Sequence, residues 1–125
     1  MVNFRKLAIE SAQIATDKKC EDIVVLNVRR LTTLCDYFVI ATVDSNPQMK
    51  SVISTLKIEL NKKGYHQLFF EQGSIIPSSW QVLDYGGVVI HLMMPSARKF
   101  YALERIWYKA RSLSIPKKKK ISKKK

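Results

Sequence analysis

The residues best equipped for chemistry lie in one stretch, "WQVLDYGGVVIHLMM" (80–94), which carries the indole of Trp80, the carboxylate of Asp84 and the imidazole of His91. A second carboxylate, Asp36, also falls at a strand end and could approach Asp84. Paired acids on neighbouring strands can hold metal ions against a triphosphate. The sequence does not complete such a centre. It has no Asp-x-Asp pair, and "VDSNPQ" (43–48) is a poor substitute for a glycine- and serine-rich phosphate loop. Cys20 and Cys35 form no CxxC pair and have no clustered histidines, so they read as two reduced thiols and not as metal ligands. No catalytic residue, metal or cofactor is expected. Trp80 and Asp84 are left as residues that could serve at a surface, with Asp84 partly exposed at the end of its strand. A structural account competes, in which Trp80 is core and Asp84 accepts backbone N–H groups at the turn.

The elements that position these residues follow from the apolar pattern. Phe4, Leu7, Ala8, Ile14 and Ala15 have helical spacing. "DIVVLNV" (22–28) and "DYFVIATV" (36–43) are continuous apolar runs of strand length, separated by "RRLTTLC". A second helix starts after Ser45 or Asn46 as cap, with Pro47 in its first turn, and buries Met49, Val52, Ile53, Leu56 and Leu60. Gly64 supplies its left-handed stop. "YHQLFFE" (65–71) reads as a further strand, 80–94 as a hairpin, and "PSARKFYALERIW" (95–107) as one last helix with Phe100, Leu103 and Trp107 along one side. The fold class is therefore α/β, a mixed sheet of about five strands flanked by helices.

If Gly86 and Gly87 form a two-residue turn, both can take positive φ, and the register is fixed. Asp84 then faces Val89, Val82 faces His91, and Trp80 faces Met93. Alternation puts Trp80, Val82, Asp84, Val89, His91 and Met93 on one face, and Gln81, Leu83, Tyr85, Val88, Ile90 and Leu92 on the other. The second set is core material. On the first, a lone charge costs several kcal/mol if buried unpaired, so Asp84 must be exposed or locally hydrogen-bonded. His91, between apolar neighbours, reads as a structural histidine bonded inside the sheet. Tyr37, Phe38 and Trp107 read as packing residues.

Charge divides the chain. Of the net +12, seven charges belong to lysines in the last ten residues, "PKKKKISKKK", so the rest carries only +5. We expect one domain over 1–110 and a disordered, lysine-rich tail over 111–125. The body lacks the interleaved aromatic and basic residues that stack bases. The start, "MVNFRKLAIE", has no secretory apolar region, and no run approaches membrane-spanning length. A cytoplasmic protein with no membrane partner is expected.

Several segments together resemble the ribosomal silencing factor family (RsfS, or Iojap-like). They are "DKKCEDIVVLNV", "DYFVIATVDSNPQMKSV" and "WQVLDYGGVVIHLMMPSARKFYALERIW", in order over roughly residues 3–107. The chain departs from the family pattern at Gly87 and Asn27, where aspartates are usual, and at Val43, where glycine is usual. These departures argue against a role needing clustered carboxylates. The resemblance implies a nucleotidyltransferase-like fold and a non-catalytic role. Members bind large-subunit ribosomal protein fourteen at the subunit-joining face, so that the small subunit cannot dock. Trp80, Asp84, Tyr85, Tyr101 and Glu104 become the implied contacts. Lys117, Lys118, Lys119, Lys120, Lys123, Lys124 and Lys125 would add an auxiliary rRNA contact. A homodimer away from the ribosome is also admitted. The alternatives are a large-subunit assembly factor, an RNA-contacting module, or, behind both, a nucleotidyltransferase-like enzyme.

Overall fold

In the computed structural model, described over residues 3–68 and 79–116, the chain begins with a capped helix. Asn3 is extended, and its side chain accepts from the Lys6 N–H at 3.0 Å, satisfying one of the free donors of α1 (Phe4–Asp17). Leu7, Ala8, Ser11, Ala12, Ile14 and Ala15 form its buried face. Strands β1 (Glu21–Asn27) and β2 (Tyr37–Thr42) follow as an antiparallel pair. Helix α2 (Asn46–Lys62) is capped by Ser45, which accepts from the Gln48 N–H at 3.2 Å. Gln48 in turn accepts from the Asp44 N–H at 2.7 Å and donates to the Lys18 carbonyl at 3.0 Å. One amide thus closes the start of α2 and ties it to the end of α1.

Strands β3 (Trp80–Asp84) and β4 (Val88–Met93) form the expected hairpin, paired Trp80 with Met93, Val82 with His91 and Asp84 with Val89. The five-stranded sheet runs β3-β4-β2-β1-β5, and β2 and β4 are its parallel pair. Both are almost wholly buried, as central strands with two covered faces must be. Helices α1 and α2 cover one face, over Val25, Val39, Ala41, Leu83, Ile90 and Leu92. The other carries a smaller cluster of Leu26, Val28, Cys35, Ile40, Met93 and Ala97. It lies beneath the short helices α3 (Pro95–Tyr101) and α4 (Leu103–Ile106).

Three expectations are corrected. Residues 65–68 form no strand: the Tyr65 N–H closes the end of α2 on the Leu60 carbonyl at 2.9 Å, and Leu68 makes a single backbone bond to Asp84 at 2.8 Å. Residues 69–71 lie outside the described part. The fifth strand is instead β5 (Arg111–Leu113), antiparallel to β1. The folded body therefore extends past residue 110: Ile115 packs on the core, and the Pro116 carbonyl accepts from Gln13 at 2.7 Å. An edge strand of three residues, one charged, has too little apolar alternation to be read from sequence. Finally, the last helix is two helices. Ala102 is left-handed at φ 47, its N–H on the Arg98 carbonyl, and the break turns Phe100 out to 79% exposure, away from Leu103 and Trp107.

The hairpin turn also differs from the two-glycine expectation. Gly86 has φ +87, but Gly87 does not take positive φ. Gly87 is needed for space: a Cβ there would overlap the ring of Phe4. Gly87→Ala should therefore cost about 1–3 kcal/mol of stability in urea melts, the range for overpacking. In a Phe4→Ala background it should cost much less, and an equal loss in both backgrounds would show that the ring is not the constraint.

Candidate functional site

The face of the sheet opposite α1 and α2 gathers most of the chain's chemistry-bearing residues. Side chains on β3, β4 and β2 bring Trp80, His91 and Phe38 side by side, and the turn at Ala102 drops Tyr101 and Trp107 onto them. Trp80 and Tyr101 rings lie 4.6 Å apart, Phe38 and His91 5.0 Å, and Phe38 and Trp107 5.2 Å, the last two edge-to-face. Phe100 extends the row outward, 5.0 Å from Tyr101.

The Trp80 indole N–H donates to His91 Nδ1 at 3.1 Å. The neutral imidazole therefore carries its proton on Nε2. That Nε2 is buried and has no hydrogen-bond partner among the described residues. Burial would strip a positive charge on this ring of most of its hydration, and it pushes the pKa of His91 down from 6.5 to about 4. The expectation of a structural histidine inside the sheet is met, and its partner is the indole of Trp80.

Asp84 sits at the far end of β3 from Trp80, about 13 Å away along the strand at ~3.3 Å per residue. Its Oδ1 accepts the Gly86 N–H at 2.8 Å, so the turn uses one carboxylate oxygen. Half-buried Val82 lies between it and Trp80, and half-buried Val89 stands directly opposite it on β4, on the same face. Nearby, burial raises the Cys35 thiol to about 11, with further contributions from the charges of Asp36 and Asp84. Burial first, then the charge of Asp44, likewise raises Cys20 to about 11. Both thiols are free, and at such values they are inert as nucleophiles. Asp36 and Asp84 thus share a neighbour, but the described residues contain no group of three His, Cys, Asp or Glu side chains able to hold a metal.

Of the residues singled out in the sequence, Trp80 and Tyr101 are in contact, and Asp84 shares their face. Tyr85 is not with them. It is 6% exposed and packs in the α1–α2 core, as strand alternation requires, so its ring offers no surface. Glu104 is engaged within the chain, accepting from Nε of Arg98 at 3.2 Å and pairing with its Nη2. Arg98 Nη1 also reaches Thr42 Oγ1 at 2.8 Å and the Asp22 carbonyl. This guanidinium thereby fastens α3 and α4 to β1 and β2. The seven tail lysines lie outside the described residues. Sequence reading missed Phe100 as a surface residue, because a continuous helix would have turned it inward. Alternation puts Val82 and Val89 on the correct face without showing that they reach the surface.

His91 makes stability depend on pH. Between pH 6.5 and about 4 the unfolded chain binds the proton more readily than the folded one. The stability this neutral histidine confers is complete above pH 6.5 and is lost as pH falls toward 4, by up to about 3 kcal/mol at ~1.4 kcal/mol per pKa unit. As pH falls from 6.5 toward about 4, the native chain should lose urea stability relative to His91→Gln, by up to about 3 kcal/mol; parallel profiles would remove His91 as the cause.

Residues 2–125 match the family model RsfS, "Ribosomal silencing factor during starvation". "Protein Iojap, chloroplastic" of Arabidopsis thaliana is 39% identical over 109 residues, 87% of this chain and 44% of that protein. The chain thus spans less than half the length of this relative. "Ribosomal silencing factor RsfS" of Chromobacterium violaceum is 34% identical over 102 residues, 82% of this chain and 80% of that protein. A crystal structure of a Chromobacterium violaceum protein superposes with TM-score 0.77 at 27% identity, covering 91% of this chain and 92% of that one. One from Bacillus halodurans gives 0.68 at 26%, covering 89% and 96%. Family match over nearly the whole length, relatives above 30% identity and a shared architecture agree: the chain belongs to the ribosomal silencing factor family, RsfS.

Proposed function

We propose that this chain silences ribosomes by occupying the subunit-joining face of the large subunit, on large-subunit ribosomal protein fourteen, and excluding the small subunit by bulk. The observation that carries this reading is the thinly covered aromatic face. Two helices of seven and four residues shield it, leaving Trp80, Val82, Asp84, Val89 and Tyr101 half-buried and Phe100 exposed. A large apolar and aromatic patch with one carboxylate is the composition of a protein-docking surface, with Asp84 meeting a basic residue of the partner. Tyr85 supports the patch from beneath. Glu104 acts through Arg98, by holding α4 in place.

Steric exclusion requires neither nucleotide nor metal. Chain stripped with a chelator that is then dialysed away should lower joining of purified subunits as well as untreated chain does, with no nucleotide added, and already joined ribosomes should resist it. Phe100→Ala, at an exposed position, should leave melting unchanged within about 0.5 kcal/mol. Asp84→Asn keeps an oxygen for the Gly86 N–H while losing its charge. Both should weaken capture of ribosomal protein fourteen, Asp84→Asn by about 2–5 kcal/mol if its charge is paired in a buried interface. Native melting with native binding in both variants would sink the proposed face.

The tail is assigned the auxiliary role. Replacing its lysines by glutamine should weaken large-subunit binding at low salt and flatten the salt dependence. An unchanged salt slope would leave the tail with no part in binding.

A further inference from the structure

At the opposite edge of the sheet from Trp80 and Asp84, strand β5 closes against the end of β1, with Arg111 opposite Asn27. Two tight turns flank this pairing. After β1, the Asn27 side chain accepts from the Arg29 N–H at 3.0 Å, and Leu31 and Thr32 both return to the Val28 carbonyl. Before β5, Ala110 returns to the Trp107 carbonyl at 2.9 Å. The first turn presents Arg29 and Arg30, and the second presents Lys109. With Arg111 they surround a hollow of about 620 Å³, completed by Asn27 and Leu31.

All four cations are exposed, no carboxylate lines the hollow, and none of the four forms an ion pair among the described residues. Asn27 and Arg111 also border a second hollow, of about 860 Å³, which adds Arg5, Lys6 and the hydroxyls of Ser112 and Ser114. The acid there, Glu10, is engaged by Lys63 at 3.7 Å. Pro116, after which the seven tail lysines follow in sequence, lines the same hollow. Crowding cations without counter-ions costs self-repulsion, which a polyanion relieves with release of its own condensed ions.

We propose that this edge is a binding site for the phosphodiester backbone of RNA, held by Arg29, Arg30, Lys109 and Arg111. The guanidinium forks of three arginines suit phosphate oxygens. Among the described residues no aromatic side chain lines either hollow, and the exposed ring of Tyr108 beside the site carries the Lys109 ammonium 5.9 Å from its centroid, so the four cations meet phosphates and that contact is independent of sequence. RNA is the polyanion preferred because the chain belongs to a ribosomal family. The site is distinct from the aromatic face, and the two can succeed or fail separately.

The test uses the full chain and a fluorescent RNA duplex of arbitrary sequence, titrated over a range of salt. Arg29→Gln with Arg30→Gln should lower affinity at least about tenfold at low salt and flatten the plot of log K against log salt by about one unit per lost phosphate contact. Lys109→Gln with Arg111→Gln, read from the other turn, should do the same. Both pairs should act equally when the tail lysines are glutamine, and equally on a second duplex of unrelated sequence. Asp84→Asn should leave RNA affinity unchanged, and the arginine variants should still capture ribosomal protein fourteen. Loss of the arginine effect once the tail is neutralised would overturn the site. So would tighter arginine-dependent binding to phosphatidylserine vesicles or to a polyglutamate peptide than to RNA.

Discussion

Strands β2 and β4 run parallel at the centre of the sheet, and neither face of that pair can be left to water. One face is met by α1 and α2, two helices of 14 and 17 residues whose apolar stripes fill it completely. The other must be closed by what remains of the chain, which is short. It is closed by aromatic rings, since Phe38, Trp80, Tyr101 and Trp107 each cover more area than an aliphatic residue would. This economy leaves the polar atoms of Trp80 and His91 inside the cover. The indole N–H and Nδ1 satisfy one another, and the neutral histidine follows from that arrangement.

The covering helices are too short to hold themselves in place. Neither is closed by a side-chain cap, and the left-handed Ala102 interrupts them. Arg98 supplies the missing attachment: it reaches across from α3 to the bulged start of β1 and the end of β2, and takes Glu104 of α4 as its charge partner. The position of Tyr101, and with it the shape of the aromatic row, depends on that guanidinium. A lysine at the same place has the charge but not the planar fork needed to meet three elements at once.

The parts of this fold legible in the sequence are those governed by local rules. The register of the hairpin follows from two glycines and strict alternation, and it decides which side chains share a face with Trp80. Ser45, Pro47 and Gly64 announce both ends of α2. The illegible parts are those that long-range packing decides. β5 exists because β1 offers an open edge, not because Arg-Ser-Leu favours extension. The helix break at Ala102 comes from closing a sheet face, and alanine gives no local warning of it. Alternation places Tyr85 on the core face while resemblance makes it a contact, and alternation is the better guide. The basic hollow is invisible for a related reason: its cations come from two turns about 80 residues apart in sequence, which only the β1–β5 pairing brings together.

Both tryptophans of the chain, Trp80 and Trp107, lie on the aromatic face, and neither lies in the α1–α2 core. The protein's ultraviolet emission is therefore spatially selective without any label. It reports the polarity of one side of the sheet, including whether the indole of Trp80 keeps its imidazole partner, and is indifferent to repacking of the other side. A ligand that dries that face would shift the emission to the blue.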